Sequence, residues 1–134
     1  KKKIYDLNNT KKSENLILKQ LKLNKVNLIC LAGYMKILSG NLIRNYRGRI
    51  INIHPSLLPK FKGLNTFGRM IKNNEIKAGC TVHYVNEKLD GGSTIHKKLF
   101  FINNKDNETI LREKTQKLEY RAFPEAIIKI FRNT

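Results

Sequence analysis

The chain has 134 residues, of which 40% are hydrophobic, and a formal net charge of +17 at pH 7. This length predicts a single domain that can bury a core but is short for a two-lobed enzyme. No apolar run is long enough to cross a bilayer, and the basic start is not followed by the apolar segment of a signal peptide. We therefore expect a cytoplasmic protein without a membrane association.

The high positive charge is a common property of nucleic-acid-binding proteins. The lysines are dispersed, however, and form only short clusters such as residues 1–3 and 11–12. No aromatic RNA-binding strand, helix-turn-helix or arginine-rich stripe accompanies them. Because a cationic surface also attracts small anions, we expect small-molecule substrates and no nucleic-acid partner. The sequence makes no prediction of the oligomeric state.

The two cysteines, Cys30 and Cys80, each lie within an apolar run of strand length. Two cysteines do not make a disulfide framework, and neither has the CxxC or histidine spacing of a zinc site. We expect both to be buried, reduced thiols and expect no metal site.

The first half of the chain alternates between helical and extended patterns. Ser13 can cap a helix over residues 14–21, whose leucine and isoleucine spacing gives one apolar face. The apolar run of residues 26–32 predicts a strand in the middle of a parallel sheet. Ser39 can cap a short helix over residues 40–46.

The second half continues the same alternation. The predicted elements are a strand over residues 49–53, a loop over 55–63, a helix from Asn65 or Thr66 to Lys72, strands over 80–85 and 93–102, and two final helices that open at Asn107 and Glu125 on either side of Pro124. This order predicts an α/β fold with a mostly parallel sheet flanked by helices. Ligands of such sheets bind beyond the carboxyl ends of the strands, where Asn52 and His54 fall.

Asn52 and His54 form the most informative pair in the sequence. Because they are two residues apart on a predicted strand, their side chains point to the same side. Pro55 and Pro59 stiffen the loop that follows. An amide and an imidazole placed side by side can both donate to one developing oxyanion. Taken singly, either residue is more often a cap or a local hydrogen-bond partner.

Five blocks of sequence, in this order and spacing, resemble the formyltransferase superfamily. They are AGYMKILS (residues 32–39), INIHPSLLP (51–59), GLN (63–65), GCTVHYV (79–85) and LDG (89–91). The pattern is most similar to the phosphoribosylglycinamide formyltransferases. Formyltetrahydrofolate deformylases typically carry a second histidine where this chain has Pro55, and methionyl-tRNA formyltransferases usually differ from it at Leu64 and Asn65.

The resemblance implies a Rossmann-like formyltransferase fold and a reaction. A formyl group would pass from 10-formyltetrahydrofolate, the cosubstrate, to the amine of glycinamide ribonucleotide in purine biosynthesis. Asn52 and His54 would stabilise the oxyanion, while Asp90 would accept the amine proton and orient His54. From the residues alone, Asp90-Gly91 is more often simply a turn.

The resemblance also assigns the two substrates to separate sets of residues. Those expected at the folate are Met35, Lys36, Ile37, Leu38, Val85 and Asp90. Those expected at the ribonucleotide are Ile53, His54, Pro55, Gln116 and Glu119. Core packing is the alternative for Ile37 and Leu38, and a solvated helix surface is the alternative for Gln116 and Glu119. His83 and His96 are expected in packing or surface roles, with His83 at most supporting the site.

One part of the family pattern is not found. Relatives open with a strand and a glycine-rich loop that holds the substrate phosphate at a helix N-terminus, and residues 1–24 do not resemble it. We therefore expect residues 1–134 to be a single formyltransferase domain without its first βα units, with one sheet edge uncovered. A deformylase activity and a non-catalytic remnant are the alternatives.

Overall fold

The computed structural model of the chain describes residues 10–34 and 36–132. The helices are α1 (Thr10–Leu23), α2 (Gly40–Asn45), α3 (Thr66–Lys72) and α4 (Glu108–Arg132), and the strands are β1 (Ile29–Leu31), β2 (Ile50–His54), β3 (Lys77–Tyr84) and β4 (Thr94–Phe101). This alternation confirms the α/β class. Within the described range no helix is both long and apolar enough to cross a membrane.

The four strands form one sheet in the order β1-β2-β3-β4. β1 and β2 are parallel, whereas β3 is antiparallel to both β2 and β4. The prediction of a mostly parallel sheet is therefore wrong for this part of the chain, where the sheet is mixed. β3 and β4 are joined by a connection too short for a crossover helix, and strands joined in this way pair antiparallel.

The first strand is shorter and more exposed than predicted. Ile29 and Leu31 pack against a cluster formed with α1 and α2, while Cys30 points to the opposite face and is exposed. The expectation of a buried Cys30 is wrong: α4 packs mainly against β3 and β4, and the Cys30 side chain is exposed. Cys80 in β3 is fully buried, as expected.

Two of the three apolar clusters of the described residues pack on opposite faces of β2. On one face, Ile51 and Ile53 of β2 pack with Ala122 and Ala126 of α4. On the other face, Ile50 packs with side chains of α1 and α2. Burying each large aliphatic side chain contributes about 1.5–3 kcal/mol. The alternation along β2 therefore places Ile51 and Ile53 on the α4 face of the sheet and Ile50, Asn52 and His54 on the other face.

The helix starts agree only in part with the sequence. Ser39 caps α2 as predicted, since its hydroxyl accepts a hydrogen bond from the Leu42 N–H at 3.3 Å. Ser13, predicted to cap α1, lies inside that helix and is buried. Glu14, which is only 2% exposed, accepts hydrogen bonds from the Ser39 N–H at 3.0 and 3.3 Å. α1 is therefore tied to the loop that precedes α2.

The two final helices predicted from the sequence are one continuous helix, α4, with Pro124 inside it. An internal proline removes a backbone hydrogen bond and costs about 3 kcal/mol or more. Ala122 and Ala126, one on each side of Pro124, are both fully buried against the sheet. Packing of the residues on both sides of Pro124 therefore stabilises α4 as one continuous helix.

Candidate active site

A cleft of about 880 Å³ opens at the carboxyl ends of β1 and β2. Its walls come from the loop after β1, the end of β2, the loop before α3, the connection between β3 and β4, and one side of α4. Asn52, His54 and Asp90 all line it, so the structure brings together the three residues expected to be catalytic.

His54 is held on two sides. Its Nδ1 atom lies 3.4 Å from Asp90 Oδ2, and its Nε2 atom lies 2.8 Å from the carbonyl oxygen of Phe61. Because a carbonyl oxygen can only accept, Nε2 carries the hydrogen. Nδ1 can then donate to Asp90 only when the ring carries a second proton. The geometry therefore places the Asp90 carboxylate where it could accept a hydrogen from Nδ1.

Asp90 is anchored from the opposite wall of the cleft. Its Oδ2 atom accepts a hydrogen bond from the Gly63 N–H at 2.9 Å, and its side chain is 8% exposed. The backbone of Asp90 is left-handed, with φ of 45°, a conformation that aspartate tolerates better than most residues. Its carboxylate is thus fixed between the loop before α3 and the imidazole of His54.

His83 is a fourth member of the cluster, and it lies closer to Asn52 and Asp90 than the sequence indicated. It pairs with Asn52 across β2 and β3, and its Nε2 atom lies 3.5 Å from Asn52 Nδ2 and 3.6 Å from Asp90 Oδ1. Of the roles expected for His83, support of the site agrees best with these distances. The sequence alone does not show that His83 lies beside Asn52, because this contact depends on the register of two antiparallel strands.

The environment of His83 defines its hydrogen bonding. Its Nδ1 atom donates to the Tyr84 carbonyl oxygen at 2.9 Å, and the side chain is 3% exposed. Burial lowers the pKa of His83, which favours the neutral ring. In that form Nε2 is an acceptor, so it can accept one of the two hydrogens on the Asn52 amide nitrogen.

Asn52 keeps hydrogen-bonding capacity for a ligand. Its Oδ1 atom is buried and has no hydrogen-bond partner within residues 10–34 and 36–132. Its Nδ2 atom has a second hydrogen besides the one directed at His83. Since buried polar groups are nearly always paired, an unpaired amide oxygen beside a cleft indicates a place for a bound group.

The residues expected at the folate all line the cleft, apart from Met35, which lies outside the described residues. Lys36 and Ile37 are exposed near the cleft mouth, and Ile37 is 71% exposed. Leu38 is buried and packs in the α1–α2 cluster, with Val85 against it. Leu38 therefore serves the core while it borders the cleft.

The residues expected at the ribonucleotide line the cleft as well. Ile53 and Pro55 belong to the end of β2 and the loop after it, while Gln116 and Glu119 come from α4. Gln116 is exposed and Glu119 is half-buried. Burial raises the pKa of Glu119. The side chains of Gln116 and Glu119 thus border the cleft and are not on a purely solvated helix face.

Known proteins resemble this chain over most of its length. A family model described as "Formyl transferase" matches residues 1–127. The chain is 42% identical to phosphoribosylglycinamide formyltransferase of Bacillus subtilis over 85% of its length and 58% of that protein. It is 42% identical to the trifunctional purine biosynthetic protein adenosine-3 of Drosophila melanogaster, covering 87% of this chain and 9% of that protein.

A solved structure agrees with these sequence relatives. The crystal structure of phosphoribosylglycinamide formyltransferase from Bacillus halodurans superimposes with a TM-score of 0.85 at 37% identity, over 91% of this chain and 63% of that one. The chain thus spans less than two thirds of the length of each of these relatives. The family match and the fold confirm the resemblance predicted from the five sequence blocks: the chain belongs to the formyl transferase family.

Proposed function

We propose that this site transfers a formyl group from 10-formyltetrahydrofolate to the amine of glycinamide ribonucleotide, as a cytoplasmic step of purine biosynthesis. The observation that carries the proposal is the cluster of Asn52, His54, His83 and Asp90 at the base of the cleft, with His54 Nδ1 3.4 Å from Asp90 Oδ2. The names of the relatives support the identity of the substrates. No metal enters the proposed reaction.

The two substrates would approach the cluster from different walls. The folate ring would lie along Leu38 and Val85, with Lys36 and Ile37 nearer the mouth; Met35 stays a folate residue expected from the sequence resemblance alone. Lys36 would offer an anionic folate tail a single point charge, because an ammonium cannot form the paired contacts of a guanidinium. The ribonucleotide would lie along α4, beside Gln116 and Glu119.

The ribonucleotide would meet the end of β2 on its other side. Ile53 would provide an apolar contact there, and Pro55 would keep the following loop in place. His54 lies next to both and would therefore contact the reacting amine. This arrangement would bring the amine and the formyl carbon together beside Asp90.

In the first step the amine nitrogen attacks the formyl carbon and the carbonyl oxygen becomes an oxyanion. The free hydrogen of Asn52 Nδ2 would donate to this oxygen. The Nε2–H of His54 would join it by exchanging the Phe61 carbonyl for the oxyanion. Each oxyanion donor is worth about 10²–10³ in rate. The unpaired Asn52 Oδ1 would accept a hydrogen from the attacking amine.

The second step requires two proton movements. The nitrogen that has attacked becomes positively charged, and Asp90 would accept its proton directly or through a water molecule. The bond between the formyl carbon and the folate nitrogen then breaks, and that nitrogen takes a proton as it leaves. An imidazolium at His54 would supply it. Asp90 and His54 would exchange a proton afterwards, which restores the starting charges.

The proposal is tested by following formyl transfer with both substrates present. We expect formylated ribonucleotide to form only with both, and Asn52→Ala, His54→Ala and Asp90→Ala to reduce turnover strongly while each variant remains folded. Formate release at the same rate without the amine would instead indicate a formyltetrahydrofolate deformylase. No turnover of either kind would indicate a non-catalytic member of the family, and salt-sensitive nucleic-acid binding without a folate response would indicate a different role.

A further inference from the structure

The loop that follows β2 is fastened to the sheet before it reaches α3. The Thr81 hydroxyl, on β3, donates to the Ser56 carbonyl oxygen at 2.7 Å and accepts from the Leu58 N–H at 3.1 Å. The Ser56 N–H donates to the His54 carbonyl oxygen at 2.9 Å. The position of residues 56–58 is therefore set by the backbone and by β3, independently of the Ser56 side chain.

The Ser56 side chain makes a different contact, further along the loop. Its hydroxyl donates to the Lys60 carbonyl oxygen at 2.6 Å, and the residue is fully buried. The carbonyl group of Lys60 belongs to the peptide bond that leads into Phe61. Since a peptide bond is planar, this hydrogen bond fixes the orientation of the peptide plane on the N-terminal side of Phe61.

Phe61 is held in a conformation that a bulky residue seldom adopts. Its φ is 55°, in the left-handed region, where a residue other than glycine persists only when its surroundings hold it. The Phe61 side chain packs against a cluster that includes side chains of α3 and α4, and the Arg69 guanidinium lies 5.6 Å from the ring centre. Phe61 is thus held through its ring on one side and through the Ser56 hydrogen bond on the other. In this conformation its carbonyl oxygen faces His54 Nε2.

The position of the Phe61 carbonyl oxygen decides where a neutral His54 carries its single hydrogen. The hydrogen bonds of an imidazole ring determine which of its two nitrogens is protonated. The Phe61 oxygen lies 2.8 Å from Nε2, whereas the Asp90 carboxylate lies 3.4 Å from Nδ1. If the Phe61 oxygen moved away, the carboxylate would draw the hydrogen to Nδ1, and Nε2 would have none to donate.

We infer that Ser56 is a positioning residue whose hydroxyl, acting through the peptide between Lys60 and Phe61, keeps the hydrogen of His54 on Nε2. The catalytic consequence rests on the proposed function, in which the Nε2–H of His54 is an oxyanion donor. Ser56 is fully buried, so it would contact neither substrate and takes no part in the proton transfers. Its loss should therefore lower kcat and leave KM nearly unchanged.

The test locates the His54 hydrogen directly, by ¹H–¹⁵N spectra of the full chain labelled at histidine and kept at about pH 9, where imidazoles are neutral. The signals of His54 are assigned by their absence in His54→Gln. We expect the wild-type hydrogen on Nε2, and Ser56→Ala to lower the ratio of Nε2–H to Nδ1–H by about twofold to tenfold. kcat should fall by about tenfold, a part of the roughly 10²–10³ that an oxyanion donor is worth. Ser56→Cys, which keeps a weaker donor, should give an intermediate ratio.

Two further serine-to-alanine variants separate positioning from stability. Ser39→Ala removes the cap of α2 and should lower the free energy of unfolding while the His54 hydrogen stays on Nε2. Ser93→Ala, at an exposed serine, should leave both the hydrogen position and kcat unchanged. A wild-type chain with the hydrogen on Nδ1, a wild-type ratio in Ser56→Ala, or the same shift in Ser39→Ala would overturn the inference.

These outcomes are separable from the failure of formyl transfer. If the chain transfers no formyl group but Ser56→Ala moves the hydrogen toward Nδ1, the positioning by Ser56 stands and the proposed function fails. If the wild-type chain transfers the group and Ser56→Ala keeps the wild-type ratio and kcat, the inference fails and the proposed function stands. A shifted ratio with an unchanged kcat would overturn the role of Ser56 in the reaction.

Discussion

His54 Nδ1 and Asp90 Oδ2 are 3.4 Å apart, although the two residues are separated by a helix and a strand along the chain. His54 ends β2, and Asp90 lies in the connection between β3 and β4. The Gly63 N–H, which donates to the same carboxylate oxygen at 2.9 Å, closes the arrangement from a third segment. The proposed proton acceptor is therefore fixed by backbone as well as by its histidine partner.

Replacing Asp90 by asparagine should lower kcat by about 10²–10⁴, because the amide cannot accept the amine proton. Asparagine keeps an acceptor oxygen for the Gly63 N–H, so we expect the fold to survive. Steady-state kinetics with circular dichroism measure the two effects. Glu113→Gln, which removes a carboxylate from an exposed position of α4, should retain the wild-type rate. A loss of rate in both variants would assign the effect to net charge and not to the site.

The candidate site could be predicted from the sequence only where a local rule applied. The two-residue period of a strand put Asn52 and His54 on one side, and both line the cleft. His83 could not be located in this way, because its distance to Asn52 depends on the register between β2 and β3.

The difference between local and long-range features also explains which parts of the fold could be predicted. Ser39 was predicted correctly as a cap because a cap involves only the next few residues. Strand direction, the exposure of Cys30 and the continuity of α4 through Pro124 depend on contacts between distant segments. Local patterns do not contain that information, so these were the features predicted wrongly.

His83→Gln should lower kcat by about tenfold and leave the KM for both substrates nearly unchanged. Our reason is that His83 contacts Asn52 and would act by orienting its amide. Steady-state kinetics over a range of both substrates separate kcat from KM. His96→Gln, at a partly exposed histidine paired with Glu125, is the matched control and should have wild-type kinetics. An unchanged kcat in His83→Gln would remove His83 from the proposed mechanism.

The free energy of unfolding should fall as the pH is lowered below about 6.5, which is the ordinary pKa of a histidine side chain. Burial lowers the pKa of His83, so in this range the unfolded chain binds a proton that the folded chain does not. The loss continues until the pH reaches the pKa of His83 in the folded state. Urea unfolding between pH 7 and pH 5 measures this slope. It should be smaller in His83→Gln and retained in His96→Gln; equal slopes in all three proteins would contradict the assignment.

Glu14→Ala should reduce the free energy of unfolding by about 1–3 kcal/mol, because the partly buried Ser39 N–H loses its acceptor. It should also raise the KM for the folate, since Ser39 directly follows Leu38 on the cleft wall. Denaturant unfolding and steady-state kinetics check the two effects. Glu113→Ala, at an exposed position of α4, should change neither by a comparable amount. An unchanged stability in Glu14→Ala would show that the link between Glu14 and Ser39 is unimportant.

Gly92→Ala should destabilise the protein by about 2–4 kcal/mol. A Cβ atom at this position would lie 1.6 Å from the Tyr84 carbonyl oxygen, so the connection that holds Asp90 would have to move. Thermal and denaturant unfolding measure the loss. Gly40→Ala is the control, because the nearest atoms to its Cβ would belong to two flexible side chains, Arg44 at 3.0 Å and Glu87 at 3.9 Å. Equal stability of the two variants would contradict the close approach at Gly92.

The most direct test of the proposed reaction is formyl transfer measured in parallel for the wild-type chain and for Asp90→Asn. Both receive 10-formyltetrahydrofolate, with and without glycinamide ribonucleotide, and formylated product and formate are quantified separately. We expect wild-type product that requires the amine and falls by at least about a hundredfold in Asp90→Asn. The same product rate in Asp90→Asn, or formate release that is indifferent to the amine, would contradict a formyl-transfer site built on His54 and Asp90.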